Sequence, residues 1–401
     1  MASEKVYIKG MGMISAIGFN VQEALHSLRE LKYGVGPITH LDTVYKGTIP
    51  VAEVKKTNEE LKNFLCIDTD TVISRTCLLG MCAASEAVNS AGIDTGKFRC
   101  GIVSATSVGG MDLSEIFYDE FYNDHSKGDN RYVKSHDCAD STMRIALFLG
   151  IKDFQATIST ACSSSANAIM YASRLIKNNI LDIAIAGGTD SLTRFTVNGF
   201  NTLMILDKNH CRPFDAGRAG LNIGEGAGYV VLVSEKVLNE TQKEAFAEVK
   251  GYGNANDAYH QTASSPDGQG AFLAMSKAMS MSGLQPYEID YINVHGTGTG
   301  NNDLSEGIAM KRIFGDHVPL FSSTKPFTGH TLGAAGGIEA IISILAIKNK
   351  LVFPNLNFKE PIPELNISPV TRLTENVKVT NVLSNSFGFG GNNSSLILSE
   401  V

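Results

Sequence analysis

Tyr7-Ile8-Lys9-Gly10-Met11-Gly12, near the start of the chain, is echoed by Glu248-Val249-Lys250-Gly251-Tyr252-Gly253 past its middle. Three further echoes follow in the same order. Ala91-Gly92-Ile93, with the apolar run to Val103-Ser104-Ala105-Thr106, matches Ser282-Gly283-Leu284 with Val294-His295-Gly296-Thr297. A helical stretch ending Lys177-Asn178 matches one ending Lys348-Asn349, and Gly226 to Glu235 matches Gly391 to Glu400. One echo of short apolar strings is chance; four in order point to a duplication. The separation between copies shrinks along the chain, so the first copy carries the longer loops, with the largest excess around Met111 to Gly150. Each copy alternates short β-branched runs with helical patterns, as at Asp182 to Ala186 after the helix from about Cys162. That alternation is the signature of βαβ units around a largely parallel sheet. The expected organisation is α/β, in two similar halves, 1–240 and 241–401, divided in the polar stretch Asn239-Glu240-Thr241-Gln242-Lys243.

Composition supports a folded protein and excludes several function classes. With 401 residues, 43% of them apolar and 19% charged, the chain has ample material for a core, and its length suits two or three domains or one large α/β unit. Its 34 basic and 41 acidic side chains leave a net charge of −7, so a general attraction for nucleic acid or anionic lipid is not expected. The cysteines at 66, 77, 82, 100, 138, 162 and 211 are odd in number, with no CxxC pair and no His at metal-ligand spacing, which suits a reducing cytosol. The start, Met1 to Gly10, has charge where a signal peptide has its apolar stretch, and the longest apolar helical run, Gly336 to Ile347, is interrupted by Glu339. Neither export nor membrane insertion is expected. The 39 glycines invite a nucleotide-binding reading, but Gly10-Met11-Gly12 is followed by Ser15, and Gly224-Glu225-Gly226 by Tyr229, where a third Gly is required.

Thr160-Ala161-Cys162-Ser163-Ser164-Ser165 follows the β-type run Ala156 to Ser159 and precedes a long helical pattern. A cysteine at a strand-to-helix turn lies over the helix N-terminus, where free N–H groups and the positive dipole end favour thiolate. Asn293-Val294-His295-Gly296-Thr297-Gly298-Thr299 follows a second strand, Ile289 to Val294, and Gly329-His330-Thr331-Leu332-Gly333 opens a helix. Both histidines thus fall at element ends, where loops gather into sites. The repeat places Cys162 and the His330 turn at equivalent ends of the two halves, as Cys–His chemistry requires. Each residue also has a plainer reading, as a buried thiol or a hydrogen-bonded turn histidine.

These segments, with Lys325-Pro326-Phe327-Thr328-Gly329-His330 and Asn385-Ser386-Phe387-Gly388-Phe389-Gly390-Gly391, resemble the motifs of the β-ketoacyl-acyl carrier protein synthases over essentially the whole chain. Arg212-Pro213-Phe214-Asp215 and Asp257-Ala258-Tyr259-His260 belong to the same resemblance. It is closest to the elongating Cys-His-His class typified by synthase II. It implies the thiolase fold, two βαβαβαββ halves in five α-β-α-β-α layers, and a homodimer; the cytoplasmic location is expected from the absent export signals alone. It also implies an acyltransferase that condenses an acyl-enzyme with malonyl-acyl carrier protein in fatty acid elongation, with no bound cofactor or metal. The 4′-phosphopantetheine arm would arrive on the carrier protein. Cys162 would carry the acyl group, and His295 and His330 would stabilise the enolate. Backbone N–H groups of Cys162 and Phe389 would form the oxyanion hole, and Lys325 and Glu306 would support the site. Thr297 and Thr299 would hold the arm, Phe389 would gate, and Val108 would line the acyl pocket. Asn293, Glu339 and Asn385 resemble a structural cation site of some members, and equally a buried hydrogen-bond network.

Two departures qualify the substrate. Ala219 and Leu221-Asn222 stand where the family has Asp and Phe-Val, and Pro326 follows Lys325 in place of Ser. Both variants resemble synthases of polyene-pigment clusters, so a pigment or polyketide pathway is the alternative. A thiolase would need a second cysteine, which Ser386 to Asn393 lacks. Cys162 argues against a non-catalytic chain-length partner, unless the protein works only beside another subunit, so a partner subunit of such a synthase is the further alternative.

Overall fold

The computed structural model describes residues 4–241 and 244–401. Met1, Ala2 and Ser3, and the boundary residues Gln242 and Lys243, lie outside the described residues. The strands are β1 (Val6–Ser15), β2 (Cys100–Ala105), β3 (Phe154–Ile158), β4 (Ile183–Asp190), β5 (Gly226–Ser234), β6 (Ala247–Asn256), β7 (Tyr291–Asn293), β8 (Leu320–Ser322), β9 (Leu351–Val352), β10 (Thr374–Glu375), β11 (Asn381–Phe387) and β12 (Asn392–Ser399). Ten of them run in the order β3-β2-β4-β5-β1-β6-β12-β11-β7-β8, and β9 pairs with β10 apart. Read outward from the middle, the two sets of five have the same order. The duplication in the sequence is therefore a duplication of topology.

The halves meet where β1 and β6 pair antiparallel, Tyr7 opposite Glu248 and Ile8 opposite Ala247. Tyr7 and Glu248 are equivalent positions of the repeat, so a local two-fold axis passes between them. The paired glycines of the same stretch serve packing. A Cβ on Gly10 or Gly12 would come within 2.1 or 2.2 Å of the carbonyl oxygens of Ala87 and Ala83, and one on Gly251 or Gly253 within 2.4 or 2.2 Å of those of Ala278 and Ala274. Only glycine lets the helices Arg75–Ala91 and Gln269–Ser282 press this closely onto β1 and β6.

The sheet is mixed, which corrects the expectation of a largely parallel one. β2 runs parallel to β3 and β4, and β7 to β8 and β11, but β1, β5, β6 and β12 pair antiparallel. Between β11 and β12 only Gly388 to Gly391 intervene, too few residues for a parallel crossover.

Five layers follow from the helix contacts. Arg75–Ala91 and Cys138–Leu149 cover the outer face of the first half, and Gln269–Ser282 and Gly300–Phe314 that of the second. Ser164–Lys177 and Ala335–Asn349 pack on each other and on strands of both halves, forming the middle layer. The main hydrophobic core accordingly mixes both halves, for example Ile8, Ile169, Ile338 and Leu396. Leu332–Asn349 is the one described helical stretch long and apolar enough to cross a membrane, and 89% of it is buried here. A helix walled by sheets on both sides must be apolar all round. The excess at Met111 to Gly150 forms three α-helices, Met111–Asn123, Asn130–Val133 and Cys138–Leu149, and a 3₁₀ turn, Lys134–His136.

Candidate active site

Between β3 and the helix Ser164–Lys177 the chain turns at Ala161, whose φ of 53° is left-handed. Its carbonyl accepts from Ser164 Oγ at 2.6 Å, and Ser164 Oγ accepts from the Thr160 N–H at 2.8 Å. These bonds hold the turn in a conformation that is unfavourable for a side chain. Cys162 follows, 6% exposed. Its thiol is pushed up to about 11, because burial outweighs the opposing Lys325 charge and the N–H groups of Phe389 and Cys162 itself. The helix N-terminus therefore does not yield a resting thiolate, contrary to the sequence expectation. Four other buried thiols, Cys77, Cys82, Cys100 and Cys211, are pushed up to about 12. What distinguishes Cys162 is the cavity it faces.

His295 lies just beyond β7. Glu306, on the helix Gly300–Phe314, accepts the N–H groups of His295 and Gly296 at 2.9 Å each, and Asn385 donates to it at 3.0 Å. Burial pushes the Glu306 carboxyl up to about 7. Three residues earlier, Asp303 accepts the N–H groups of Thr297 at 3.0 Å, Gly298 at 3.2 Å and Phe214 at 2.7 Å. One helix end thus fixes the whole His295 to Thr299 loop. His330 is held by its backbone, donating to the Asn222 carbonyl at 2.7 Å and accepting from the Gly224 N–H at 2.9 Å.

Lys325 Nζ, fully buried, donates to Glu339 Oε1 and to the His295 carbonyl, each at 2.5 Å, and lies 3.3 Å from His295 Nδ1. Burial and this ammonium together push His330 down to about 3 and His295 well below its ordinary value. Both rings are neutral. His330 Nδ1 accepts the Leu332 N–H at 3.1 Å, and His295 Nδ1 faces the Lys325 ammonium, so each ring carries its proton on Nε2. The rings stand edge to face, centroids 5.3 Å apart.

The ligating atoms of Cys162, His295 and His330 lie within 4.8 Å of one another, a spacing that could hold a metal ion. The ring partners argue against that use. A metal-bound imidazole donates its other N–H to an acceptor, whereas both Nδ1 atoms here face donors. The pair is instead built to present two N–H donors beside a thiol.

Two cavities meet at Cys162. The first, about 190 Å³, is lined by His295, His330, Thr297, Thr299, Leu221 and Phe389. The second, about 490 Å³ and mostly apolar, is lined by Val108, Thr196, Leu203 and Leu332, with Phe195 at 59% exposure. Phe389 and Phe200 line both and stack at 5.8 Å between centroids.

Of the residues singled out from sequence, Cys162, His295, His330, Thr297, Thr299 and Phe389 face one cavity and Val108 the next. Lys325 and Glu306 sit behind the histidines. Sequence reasoning missed Asp303, though Asn302-Asp303-Leu304-Ser305-Glu306 contains it, and Phe200, for which no signal existed. It also missed Asp190 at the end of β4, which accepts from Thr106 Oγ1 and from the N–H groups of Ser107, Val108 and Gly333, joining the Val108 wall to the His330 turn. Of the residues that resemble a cation site, Asn293 Oδ1 and Glu339 Oε2 are buried without a geometric hydrogen-bond partner. Asn385 belongs to a buried hydrogen-bond network, its amide donating to Glu306 and accepting from Ser395. The departure at Asn222 has a structural use: its amide accepts the Cys211 N–H at 2.7 Å and donates to the Asn209 carbonyl at 2.8 Å.

Residues 3–237 match the family described as "Beta-ketoacyl synthase, N-terminal domain", and residues 246–359 match "Beta-ketoacyl synthase, C-terminal domain". The chain is 34% identical to a 3-oxoacyl-[acyl-carrier-protein] synthase 2 of Staphylococcus aureus (strain COL) over 99% of both chains. It is 32% identical to the synthase 2 of Coxiella burnetii over the full length of both. Among solved structures, "The ishigamide ketosynthase/chain length factor" superposes with a TM-score of 0.94 at 31% identity over all of both chains. The Xenorhabdus doucetiae ketosynthase ApeO in complex with its chain length factor ApeC gives 0.86 at 32%, covering 99% of this chain and 98% of that one. With both family domains matched in order and curated relatives aligned from end to end, the chain belongs to the β-ketoacyl synthase family.

Proposed function

We propose that the protein condenses an acyl-Cys162 thioester with malonyl-acyl carrier protein, giving 3-oxoacyl-carrier protein and CO2. The observation that carries this reading is the convergence of a thiol with two neutral, Nε2-protonated histidines at the junction of two cavities. Acyl transfer first exchanges thioesters: Cys162 sulfur bonds to the acyl carbon, and the thiol proton passes to the departing pantetheine sulfur. The acyl chain then occupies the second cavity past Val108. The malonyl arm enters the first cavity along Thr297 and Thr299. Loss of CO2 leaves an electron pair that collects on the thioester oxygen, where the two Nε2–H donors stabilise it more than they stabilise the neutral carbonyl. The enolate carbon attacks the acyl-Cys carbonyl, whose oxyanion is held by the N–H groups of Cys162 and Phe389. Collapse expels the Cys162 thiolate, which takes a proton from water, as burial favours.

Lys325 and Glu306 act behind the histidines, as the ammonium that keeps both rings neutral and the carboxylate that fixes the loop. The half 1–240 supplies the nucleophile and 241–401 both histidines. Fatty acid elongation in the cytoplasm is the setting we favour, on the named activity of the S. aureus and C. burnetii relatives. The pantetheine arm comes with the carrier protein, and the site needs no cofactor of its own. A homodimer is supported by the edge strand β3, bonded on one side only, beside exposed Met143, Leu147 and Phe148. A second reading, work beside a chain length factor, is favoured by the two ketosynthase/chain length factor structures.

The test is mass spectrometry of wild type mixed with acyl-carrier proteins of several chain types. We expect one acyl group on Cys162 and none in Cys162→Ala, with condensation lost in that variant. Product formation by pure Cys162→Ala would sink the mechanism; no adduct on wild type would favour the partner-subunit reading.

A further inference from the structure

We propose that Asn392 is a positioning residue that sets the spacing between the two oxyanion donors, the N–H groups of Cys162 and Phe389; this rests on the function proposed above. The two donors belong to different halves, and the segment carrying the second is Gly388-Phe389-Gly390-Gly391, with φ of 78° at Gly390 and 76° at Gly391. Such a segment has little conformational preference of its own. What ties it to the nucleophile turn is Asn392. The Asn392 carbonyl accepts the Gly388 N–H at 2.8 Å, closing the loop around Phe389. Three donor groups lie within hydrogen-bond distance of its side-chain Oδ1: Asn167 Nδ2 at 2.9 Å, Asn254 Nδ2 at 2.8 Å and Ser163 Oγ at 2.8 Å, whose one proton is shared with the Thr160 carbonyl.

Each of those donors is itself anchored. Ser163, the residue after Cys162, also lies 2.7 Å from the Thr160 carbonyl. Asn167, one turn into the same helix, donates to Thr160 Oγ1 at 2.9 Å and accepts from Ser394 Oγ at 2.6 Å. Asn254 stands on β6 and also donates to Asn167 Oδ1 at 3.1 Å. One amide oxygen thus joins the nucleophile turn, its helix, β6 and the Phe389 loop, in a half-buried network where an unpaired polar group is costly. The far side of the loop has separate tethers, Gly390 N–H to the Gln261 carbonyl at 2.7 Å and Asn256 Nδ2 to the Gly390 carbonyl at 2.8 Å. Loss of the Asn392 side chain would leave the loop attached but no longer registered against Cys162. The histidine pair, held by Glu306, Asp303 and Lys325, would stay in place.

That separation predicts a split between steps. Asn392→Ala should lower acyl transfer to Cys162, and condensation, by roughly 10- to 100-fold, the scale of a misplaced oxyanion donor. Decarboxylation of malonyl-carrier protein by the same variant should stay within about 2-fold, because its oxyanion is held by the histidines. Asn392→Asp keeps an oxygen acceptor for the three donors and should restore acyl transfer. Ser163→Ala removes one donor, leaves the amide in place, and should give a smaller loss of the same selectivity. Both rates are read on purified proteins, acyl transfer by intact mass and decarboxylation by CO2 release. Equal loss of both rates in Asn392→Ala and Ser163→Ala, or unchanged acyl transfer in Asn392→Ala, overturns the inference. If wild type itself fails to acylate Cys162, the proposed function falls first.

Discussion

Alkylating wild-type Cys162 with iodoacetamide between pH 7 and 11 sets two physical effects against each other. The sequence puts this thiol at a helix N-terminus, where the dipole is worth about 0.3–1 kcal/mol in favour of thiolate. The fold buries it and moves it from 9.0 to about 11, roughly 3 kcal/mol in the opposite direction. Burial wins on magnitude. At pH 8 about one Cys162 in a thousand should be thiolate, against roughly one in ten for a thiol at the ordinary value, a difference of about 100-fold. The alkylation rate, read as mass on the Cys162 peptide after quenching, should rise about tenfold per pH unit up to about pH 10 without levelling. Restricted access scales every point equally, so the pH of the plateau, not the absolute rate, carries the information. A plateau below pH 9 would mean that the helix N-terminus and the Lys325 charge outweigh burial, and the description of the resting site would be wrong.

Lys325→Met leaves the Glu339 carboxylate in a dry pocket without its counter-ion and should cost about 3–5 kcal/mol in guanidinium unfolding. Adding Glu339→Gln should recover part of that loss, and strictly additive single costs would contradict the pairing. His330, at about 3 in the folded state against 6.5 ordinarily, binds fewer protons folded than unfolded. Its contribution is therefore complete above pH 6.5 and lost as pH falls toward 3, about 4–5 kcal/mol in all. Thermal melts at pH 7 and pH 4 should show a smaller acid loss for His330→Asn than for wild type, and equal losses would refute the assignment. Val108→Phe narrows the second cavity and should shorten the longest acyl chain found on Cys162, with shorter chains still transferred. An unchanged chain profile by mass spectrometry would remove Val108 from the acyl pocket.

The repeat and the site motifs were legible because they are local in sequence. Gly10 and Gly12 recur as Gly251 and Gly253 because helix-to-strand approach at each position tolerates no Cβ, a requirement that acts residue by residue. Cys162, His295 and His330 each sit in a turn whose conformation their neighbours dictate. The antiparallel pairings in the middle of the sheet were missed because strand direction depends on connection length, and the long segment from Ser191 to Glu225 hides that from periodicity. Phe200 was invisible because a helix-face phenylalanine has many uses until another ring is placed against it.

By itself the sequence determined that the chain is two copies of one α/β unit, which residues can react, and what packs too tightly for a side chain. Only the tertiary structure decided the protonation states and the partners. Whether Cys162 is thiol or thiolate follows from burial, a property of the whole surroundings that overrides the helix end beneath it. Which histidine nitrogen carries the proton follows from Leu332 and Lys325 meeting the two rings. The three donors on Asn392 come from residues far away in the chain, brought to one oxygen by the pairing of the two halves. Electrostatic energies depend on distance through space and on the exclusion of water, and neither is written along the chain.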